Sequence, residues 1–426
     1  MHDVAIIGGG PAGSTAASLL SAAGRKVILF EKERFPRFHI GESLLPFNAD
    51  LFRRLGVFEE LEGRFIEKWG ARLFSSDGAT ARYIEFADAF VPGYPYAFHV
   101  LRSEFDAVLL EKARQRGAEV HEGATVVEAR TSHRDGCEIT VQDENGNLSQ
   151  HHARFLLDAS GRDAFVASRR RLRKMTPHLR KAAVFAHYEG IPRGEGRFAG
   201  DIVLVVLKDG WFWLIPLQEG KTSVGLVLGG STLKNAGMPP EKLLEEASRR
   251  CPAVWEKMKD ARRVSPVYTA SDYSYECDDV AGDGYLLMGD AAAFIDPIFS
   301  TGVLLAMSSA EMAADALHAA LGDSRGTAAL APRAFRDYAK KVRRHVRSYT
   351  RIVTRFYQPG FMDVFLQPGA RFRIKESVIC LLAGCSDPPA AVRWRLAIFY
   401  LIVRLQRRMH LTRPIPLLKV LEEAPR

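Results

Sequence analysis

The chain has 426 residues, 47% of them hydrophobic and 26% charged, and carries a formal net charge of +9. These values are typical of a globular protein of two or three domains and exclude a fibrous or largely disordered chain, and no apolar run reaches the roughly 18 residues that span a bilayer. Because the five cysteines lack metal-ligand spacing and a predicted strand begins within the first few residues, we expect a cytoplasmic protein without a signal peptide, membrane span, disulfide or metal site.

The first thirty residues predict a binding site for a dinucleotide. An apolar strand is followed by a turn from Gly8 to Gly13 and then by a helix. Gly8 permits the turn, Gly10 lets the backbone approach a pyrophosphate, and Gly13 lets helix and strand pack closely. A second strand, 27–30, ends in Glu31, whose carboxylate can accept hydrogen bonds from an unphosphorylated ribose. Either FAD or NAD fits this pattern, and a turn that merely needs small residues is the alternative.

Residues 1–178 predict the first part of an α/β domain. After the second strand, a loop rich in charge and glycine, 34–43, leads into an amphipathic helix over 44–55. Ser103 is the predicted N-cap of a later helix. The segments that follow predict a sheet meander, which ends in the run from Asp158 to Gly161.

Residues 179–276 predict a second domain. Long segments with period-two alternation, separated by turn residues, indicate an antiparallel sheet that serves as a substrate domain. Over 277–330 the chain returns to the first domain with an apolar strand and the small-residue turn Gly289 to Ala293. The glycine fingerprint occurs once, which favours a redox cofactor that stays bound, and therefore FAD.

Residues 331–426 predict a basic, helical C-terminal region. They hold 20 Lys and Arg against six Asp and Glu, a net charge of +14, whereas the first 330 residues carry −5. Such charges either coat solvated helix faces or form a surface that attracts an acidic partner. We expect no nucleic-acid partner. The predicted fold class is α/β: a Rossmann-like FAD-binding domain, an antiparallel substrate domain and a C-terminal helical segment.

Three motifs resemble the FAD motifs of the p-hydroxybenzoate-hydroxylase fold of flavoprotein monooxygenases. They are the opening fingerprint, the run from Asp158 to Gly161, and Gly289–Asp290 with the small residues after it. The resemblance implies that Asp290 holds ribityl or ribose hydroxyls and that Arg102 faces the FAD. The predicted cofactor-binding residues are Gly8, Gly10, Ala12, Gly13, Glu31, Lys32, Arg37, Glu42, Ser43, Arg102, Val126, Asp158, Gly161, Asp290, Pro297 and Gly302.

Two further motifs resemble signatures of the flavin-dependent halogenases. The run Trp211 to Pro216 matches the family's WxWxIP pattern, and Phe294, Pro297, Ser300 and Gly302 match its FxxPxxSxG pattern. Trp211 and Trp213 project to one face of a strand, so they could also be ordinary core aromatics.

The resemblance implies a separate role for each of several groups of residues. Trp211, Trp213 and Pro216 form a wall that keeps an organic substrate from the flavin, so that the oxidant made from reduced FAD and O2 meets halide and gives hypohalous acid. Thr301 and Gly302 bind the halide, beside Ser300 as a catalytic residue. Lys68, in a segment that resembles the one where the family carries its lysine, hydrogen-bonds the acid or is halogenated by it.

One departure bears on the substrate. Tryptophan halogenases carry a glutamate immediately before the serine of the second motif, where this chain has Phe299. The resemblance therefore favours halogenases of phenols and pyrroles, whose substrate arrives free or on an acidic carrier protein, with a separate flavin reductase supplying reduced FAD. Asp296 is a candidate for covalent FAD attachment, which occurs in some relatives.

Two other functions fit the sequence. One is an FAD-dependent monooxygenase or geranylgeranyl-reductase-like oxidoreductase of the same fold, whose substrate would touch the flavin directly. The other is a flavoprotein that has lost catalysis and binds a partner through its basic helices.

Overall fold

A computed structural model describes residues 1–323, 326–366 and 371–421. In chain order its strands are β1 (His2–Ile7), β2 (Val27–Glu31), β3 (Ile66–Lys68), β4 (Gly70–Ser75), β5 (Ala81–Glu85), β6 (Ala97–His99), β7 (Glu119–Glu122), β8 (Thr125–Ser132), β9 (Gly136–Gln142), β10 (Leu148–Asp158), β11 (Arg173–Glu189), β12 (Ile202–Val206), β13 (Trp211–Pro216), β14 (Lys221–Gly229), β15 (Arg262–Arg263), β16 (Tyr268–Cys277), β17 (Ala281–Gly282), β18 (Tyr285–Leu287) and β19 (Ala293–Phe294).

The helices lie between and after these strands. They are α1 (Pro11–Ala22), α2 (Ala49–Leu55), α3 (Phe58–Arg64), α4 (Arg102–Gln115), α5 (Phe165–Arg169), α6 (Gly230–Asn235), α7 (Pro240–Arg249), α8 (Pro252–Met258), α9 (Gly302–Leu321), α10 (Arg336–Phe356), α11 (Phe361–Phe365), α12 (Ile374–Leu382) and α13 (Ala390–Met409). None of these described helices is both long and apolar enough to cross a membrane.

The first sheet has eight strands and a parallel centre. The order is β17-β18-β10-β1-β2-β7, and β8 and β9 continue from β10 in antiparallel fashion. β1 pairs in parallel with β10 and β2, so that Ile7 lies beside Asp158 on one side and Phe30 on the other. The carboxyl ends of these strands therefore meet at one edge, where open α/β sheets bind their ligands. The α/β fold class is confirmed.

The second sheet has nine strands and carries the tryptophan motif. Its order is β19-β16-β11-β14-β13-β12-β4-β5, with β15 beside β11. The face of β13 with Trp211 and Trp213 joins the main core, whereas Phe212 and Leu214 pack in a second core with α7 and α8. Because both faces are buried, β13 is apolar throughout.

The second sheet contains strands from both sides of the predicted domain boundary at residue 178. β4 and β5 precede that boundary, yet β4 pairs in parallel with β12. The division at 178, 276 and 330 stays a prediction.

Two predicted helix starts are wrong. α4 begins at Arg102 with Leu101 as its N-cap, so Ser103 lies inside the helix, where Arg102 pairs with Asp106 one turn later. The helix predicted over 44–55 begins only at Ala49, after a 3-10 turn. Leu44 lies outside the helix, and its N–H donates to the Phe98 carbonyl at 3.0 Å.

Candidate functional site

The turn after β1 requires glycine at two of its positions. Gly8 has φ of +98°, and a Cβ there would lie 2.4 Å from the Ala159 carbonyl oxygen. A Cβ on Gly13 would lie 1.8 Å from the Gly8 carbonyl oxygen, so only glycine lets α1 approach β1 this closely. The fingerprint is thus explained by backbone packing as well as by ligand approach.

A cavity of about 440 Å³ opens from this turn and runs between the two sheets. Most of the predicted site residues line it: Gly8, Gly10, Ala12, Glu31, Lys32, Arg37, Glu42, Ser43, Arg102, Val126, Gly161, Trp211, Trp213, Asp290, Pro297, Ser300 and Gly302. Five predicted residues do not line it: Gly13, Lys68, Asp158, Pro216 and Thr301.

Charged side chains mark one end of the cavity. The Glu31 carboxylate accepts hydrogen bonds from the N–H groups of Gly9 at 2.6 Å and Glu33 at 2.9 Å. The Arg37 guanidinium reaches to 3.5 Å from the position that a Gly10 Cβ would take. A cation above the N-terminus of α1 suits a pyrophosphate. Lys32 forms an ion pair with Asp163 at 2.5 Å.

Arg102 and Asp290 lie further along the cavity. Arg102 makes a bidentate pair with the buried Asp106, at 2.8 and 2.9 Å, and donates to the Ile40 carbonyl at 2.8 Å. This pairing fixes the guanidinium in the cavity wall. Burial raises the pKa of Asp290 to about 6. Hydroxyl donors from a ligand would stabilise its carboxylate form.

Asp158 does not line the cavity but holds the backbone of the turn that follows β10. It is fully buried, and its carboxylate accepts from the N–H and hydroxyl of Ser160 and from the Val166 N–H at 2.7 Å. Asp158 therefore shapes the turn that presents Gly161 to the cavity.

The second halogenase motif forms a turn before α9. Ser300 has φ of +57°, and its N–H donates to the Pro297 carbonyl at 2.9 Å, so this N–H is already engaged. Thr301 is buried and Gly302 begins α9. A Cβ on Gly302 would meet nothing within 4 Å, which leaves the helix N-terminus open to the cavity.

Trp211 and Trp213 form a continuous aromatic surface in the cavity wall. Their ring centroids are 5.6 Å apart. The Trp213 indole donates to the Ser223 hydroxyl at 3.1 Å, and a Cβ on Gly225 would come within 2.1 Å of its ring. Gly225 therefore provides the space that the indole occupies. Pro216 ends the strand behind them.

A buried chain of hydrogen bonds holds Trp211 from behind. Its indole N–H donates to the Tyr357 hydroxyl at 3.0 Å, and that hydroxyl donates to Asp296 at 2.7 Å. Asp296 also accepts from the Ile298 N–H and is fully buried outside the cavity lining. Covalent FAD attachment at Asp296 stays a prediction. The sequence could not indicate Tyr357, because it lies 146 residues from Trp211.

Lys68 lies on the other side of the cavity wall from the ligand space. It is 2% exposed, and its amine donates to the Ser43 hydroxyl at 2.9 Å and the Leu44 carbonyl at 3.0 Å. Both partners are neutral, and burial lowers the pKa of Lys68 from 10.5 to about 7. Ser43 lines the cavity, so one side chain separates this amine from it.

Two histidines belong to the surroundings of Glu42 and Lys68, and no sequence motif indicates either of them. The His187 Nε2–H donates to the buried Glu42 carboxylate at 2.7 Å, which links β11 to the cavity wall. His99 is fully buried in β6, and its ring nitrogens have no partner of hydrogen-bond geometry among the described residues. Burial and the nearby Lys68 lower the pKa of His99, so it is a neutral imidazole.

The cavity fits FAD. It offers a helix N-terminus with an arginine above it, a carboxylate at each of two positions along its length, and a second open helix N-terminus at Gly302. A family model described as an FAD binding domain matches residues 1–350. The fold and the cavity therefore define an FAD-binding flavoprotein.

Similar proteins identify the family more closely. The chain is 31% identical over 407 residues to the 1H-pyrrole-2-carbonyl peptidyl-carrier-protein chlorinase of Pseudomonas fluorescens, covering 90% of this chain and 89% of the relative. It is 33% identical over 367 residues to tryptophan 2-halogenase of Chondromyces crocatus, covering 83% and 67%. The structure of the flavin-dependent brominase Bmp2 superposes with a TM-score of 0.83 at 27% identity, covering 96% and 99%. The chain belongs to the flavin-dependent halogenases.

Proposed function

We propose that the protein attaches a halogen to an electron-rich aromatic ring, a phenol or a pyrrole, through Lys68. The observation that carries this proposal is a fully buried lysine amine with two neutral partners, next to a cavity whose wall is formed by Trp211 and Trp213. Burying a lysine whose hydrogen-bond partners are neutral costs free energy, and such costs are typical of functional groups.

The cavity would hold FAD, and reduced FAD delivered by a separate flavin reductase would supply hypohalous acid there from O2 and halide. Gly302 lines the cavity at the N-terminus of α9, where its N–H and the positive end of the helix dipole would attract a halide, with the buried Thr301 next to it. The Ser300 N–H is occupied by Pro297.

The tryptophans separate oxidant from ring. Trp211 is fixed by Tyr357 and Trp213 by Ser223, so neither indole can swing aside without losing a hydrogen bond. A bulky aromatic substrate is therefore kept from the cavity, and only a small oxidant passes toward Lys68.

Lys68 then transfers the halogen. Its neutral amine takes the halogen of hypohalous acid, the oxygen–halogen bond breaks, and the amine proton leaves with hydroxide as water. The aromatic ring next takes the halogen from nitrogen, and the ring proton returns to the amine. A pKa of about 7 keeps much of the amine neutral near pH 7, as the first step requires.

Two observations support a phenol or pyrrole substrate. Phe299 occupies the position before Ser300, so no carboxylate at that position can assist an indole. The Pseudomonas fluorescens relative acts, by its name, on a pyrrole-2-carbonyl group on a peptidyl carrier protein. The basic C-terminal region suits such an acidic partner.

A product assay tests the proposal. The protein receives reduced FAD, O2, chloride or bromide, and either a phenol or pyrrole-2-carboxylate as a thioester, and products are identified by mass spectrometry. We expect halogenated rings without hydroxylation. Hydroxylated rings free of halogen would show instead that the substrate reaches the flavin directly.

A further inference from the structure

An exposed cluster of arginines and aromatic rings lies at the start of α13. We define the arginine–aromatic patch as Phe90, Phe372, Arg373, Trp394 and Arg395. The guanidinium groups of Arg373 and Arg395 lie over the Phe90 ring at 4.5 and 4.6 Å, and Arg395 also lies over Trp394 at 4.2 Å.

The patch exposes apolar surface that a folded protein normally covers. Phe372 is 67% exposed and Trp394 is 45% exposed. Arg395 holds the patch together by donating to the Phe372 carbonyl at 2.8 Å. Exposed aromatic rings next to arginines are typical of the centres of protein interfaces, where Trp and Arg contribute most to the binding free energy.

The charge around the patch is positive. Glu376 lies 3.6 Å from Arg373 and Asp88 lies 3.0 Å from Lys375, but both ion pairs are solvent-exposed and offset these two cations only in part. Arg393 and Arg395 add two further positive charges at the start of α13, within a C-terminal region of net charge +14. This field favours an acidic partner over a basic one.

The patch adjoins residues 86–90, a segment that begins next to the Lys68 amine. The Phe90 N–H donates to the Glu376 carbonyl at 2.9 Å, which ties the end of this segment to α12. Four residues earlier, the ring of Phe86 lies 5.1 Å from the Lys68 amine. Four residues span at most about 14 Å, so the backbone of Phe90 lies no further than this from that of Phe86, whose ring contacts the Lys68 amine.

We infer that the arginine–aromatic patch docks an acidic carrier protein whose tethered aromatic acid is presented to Lys68. The inference rests on the proposed function, because it names the partner that delivers the ring. Trp394 and Phe372 contact an apolar surface of the carrier, and Arg373 and Arg395 pair with its acidic side chains. The tether then enters beside residues 86–90.

Binding and turnover with two substrates test the inference. The probe is a peptidyl carrier protein loaded with pyrrole-2-carboxylate, compared with the pantetheine thioester of the same acid. We expect Trp394→Ala and Arg373→Glu each to weaken carrier binding about tenfold or more, measured by fluorescence anisotropy, and to reduce tethered turnover accordingly. Turnover of the small thioester should stay within about twofold of the original protein.

Matched controls lie outside the patch. Leu148 is 64% exposed and belongs to β10 of the first sheet, so Leu148→Ala removes exposed apolar surface away from the patch. Arg404→Glu makes the same charge change as Arg373→Glu. Both controls should bind the carrier within about twofold of the original protein.

Other outcomes separate the two proposals. If neither substrate is halogenated, the proposed function fails. If the thioester is halogenated but carrier binding is absent, or equally weakened by the control variants, the patch is overturned as the docking site. Binding to vesicles of anionic phospholipid without binding to the carrier would overturn it in favour of a lipid surface.

Discussion

Burial lowers the pKa of Lys68, and this has a consequence for stability. Its pKa falls from 10.5 to about 7, so between these values the unfolded chain binds a proton that the folded protein lacks. Folding stability therefore rises with pH across this window. Below about pH 7 the folded protein carries the full cost of burying a cation.

Lys68→Met should therefore stabilise the protein while removing the amine. At pH 6.5 we expect a higher urea midpoint, equivalent to a few kcal/mol at most. The advantage should shrink toward pH 9.5, because the lysine then folds without its proton. Urea unfolding with saturating FAD at both pH values measures this. A variant that is less stable than the original protein at pH 6.5 would contradict the description of Lys68 as a strained, buried group.

The sequence could identify Lys68 only by resemblance, and it could not indicate the neighbours of this lysine. Leu44 and Ser43, its two partners, lie about two dozen residues away, and Glu42 and His187 are separated by 145 residues. No local pattern encodes such contacts. His99 likewise looks like an ordinary strand residue in the sequence, and only the structure shows that it is fully buried near Lys68.

β13 shows what a strand pattern can and cannot predict. Period-two alternation correctly predicts that Trp211 and Trp213 share a face, and the structure places both in the cavity wall. The position of the Trp213 indole over Gly225 could not be predicted, because it depends on which strand pairs with β13 and in which register.

Gly225→Ala should displace this indole. The added Cβ would lie 2.1 Å from the ring, so Trp213 must move and lose its bond to Ser223. We expect weaker FAD binding and a stability loss of about 1–3 kcal/mol. FAD fluorescence titration and thermal unfolding measure both effects.

A second substitution provides the control for this prediction. Trp213→Phe in the Gly225→Ala background should restore FAD affinity, because the smaller ring leaves room for the methyl group. Gly63→Ala, where a Cβ would meet nothing within 4 Å, should change neither property. Unchanged FAD affinity in Gly225→Ala would contradict the assigned packing.

At the level of the whole molecule, each of the two sheets supplies a different part of the cavity wall. The carboxyl edge of the parallel sheet presents the glycine turn, Glu31 and the Asp158 turn to the cavity, while the nine-stranded sheet supplies the tryptophan wall. Residues 42–44 run between the cavity and Lys68. This arrangement places the FAD cavity and the lysine on opposite sides of one short segment.

The sequence predicted this architecture only in part. The fingerprint and the change from mixed to alternating segments indicate the two sheets. The parallel pairing of β4 with β12 could not be inferred, because parallel strands far apart in the chain share no turn or periodic signal. That pairing joins the segment carrying Lys68 to the tryptophan sheet.

The central claim is that halogen passes from the FAD cavity to the ring through the Lys68 amine. The most direct measurement supplies reduced FAD, O2, halide and the ring substrate to Lys68→Met, with a small β-diketone as a trap for free hypohalous acid. Lys257→Met, which removes a half-buried lysine beside Phe74, serves as the control. We expect Lys68→Met to oxidise reduced FAD and halogenate the trap while ring halogenation falls at least about a hundredfold. Ring halogenation by Lys68→Met at the rate of the Lys257→Met control would contradict the account.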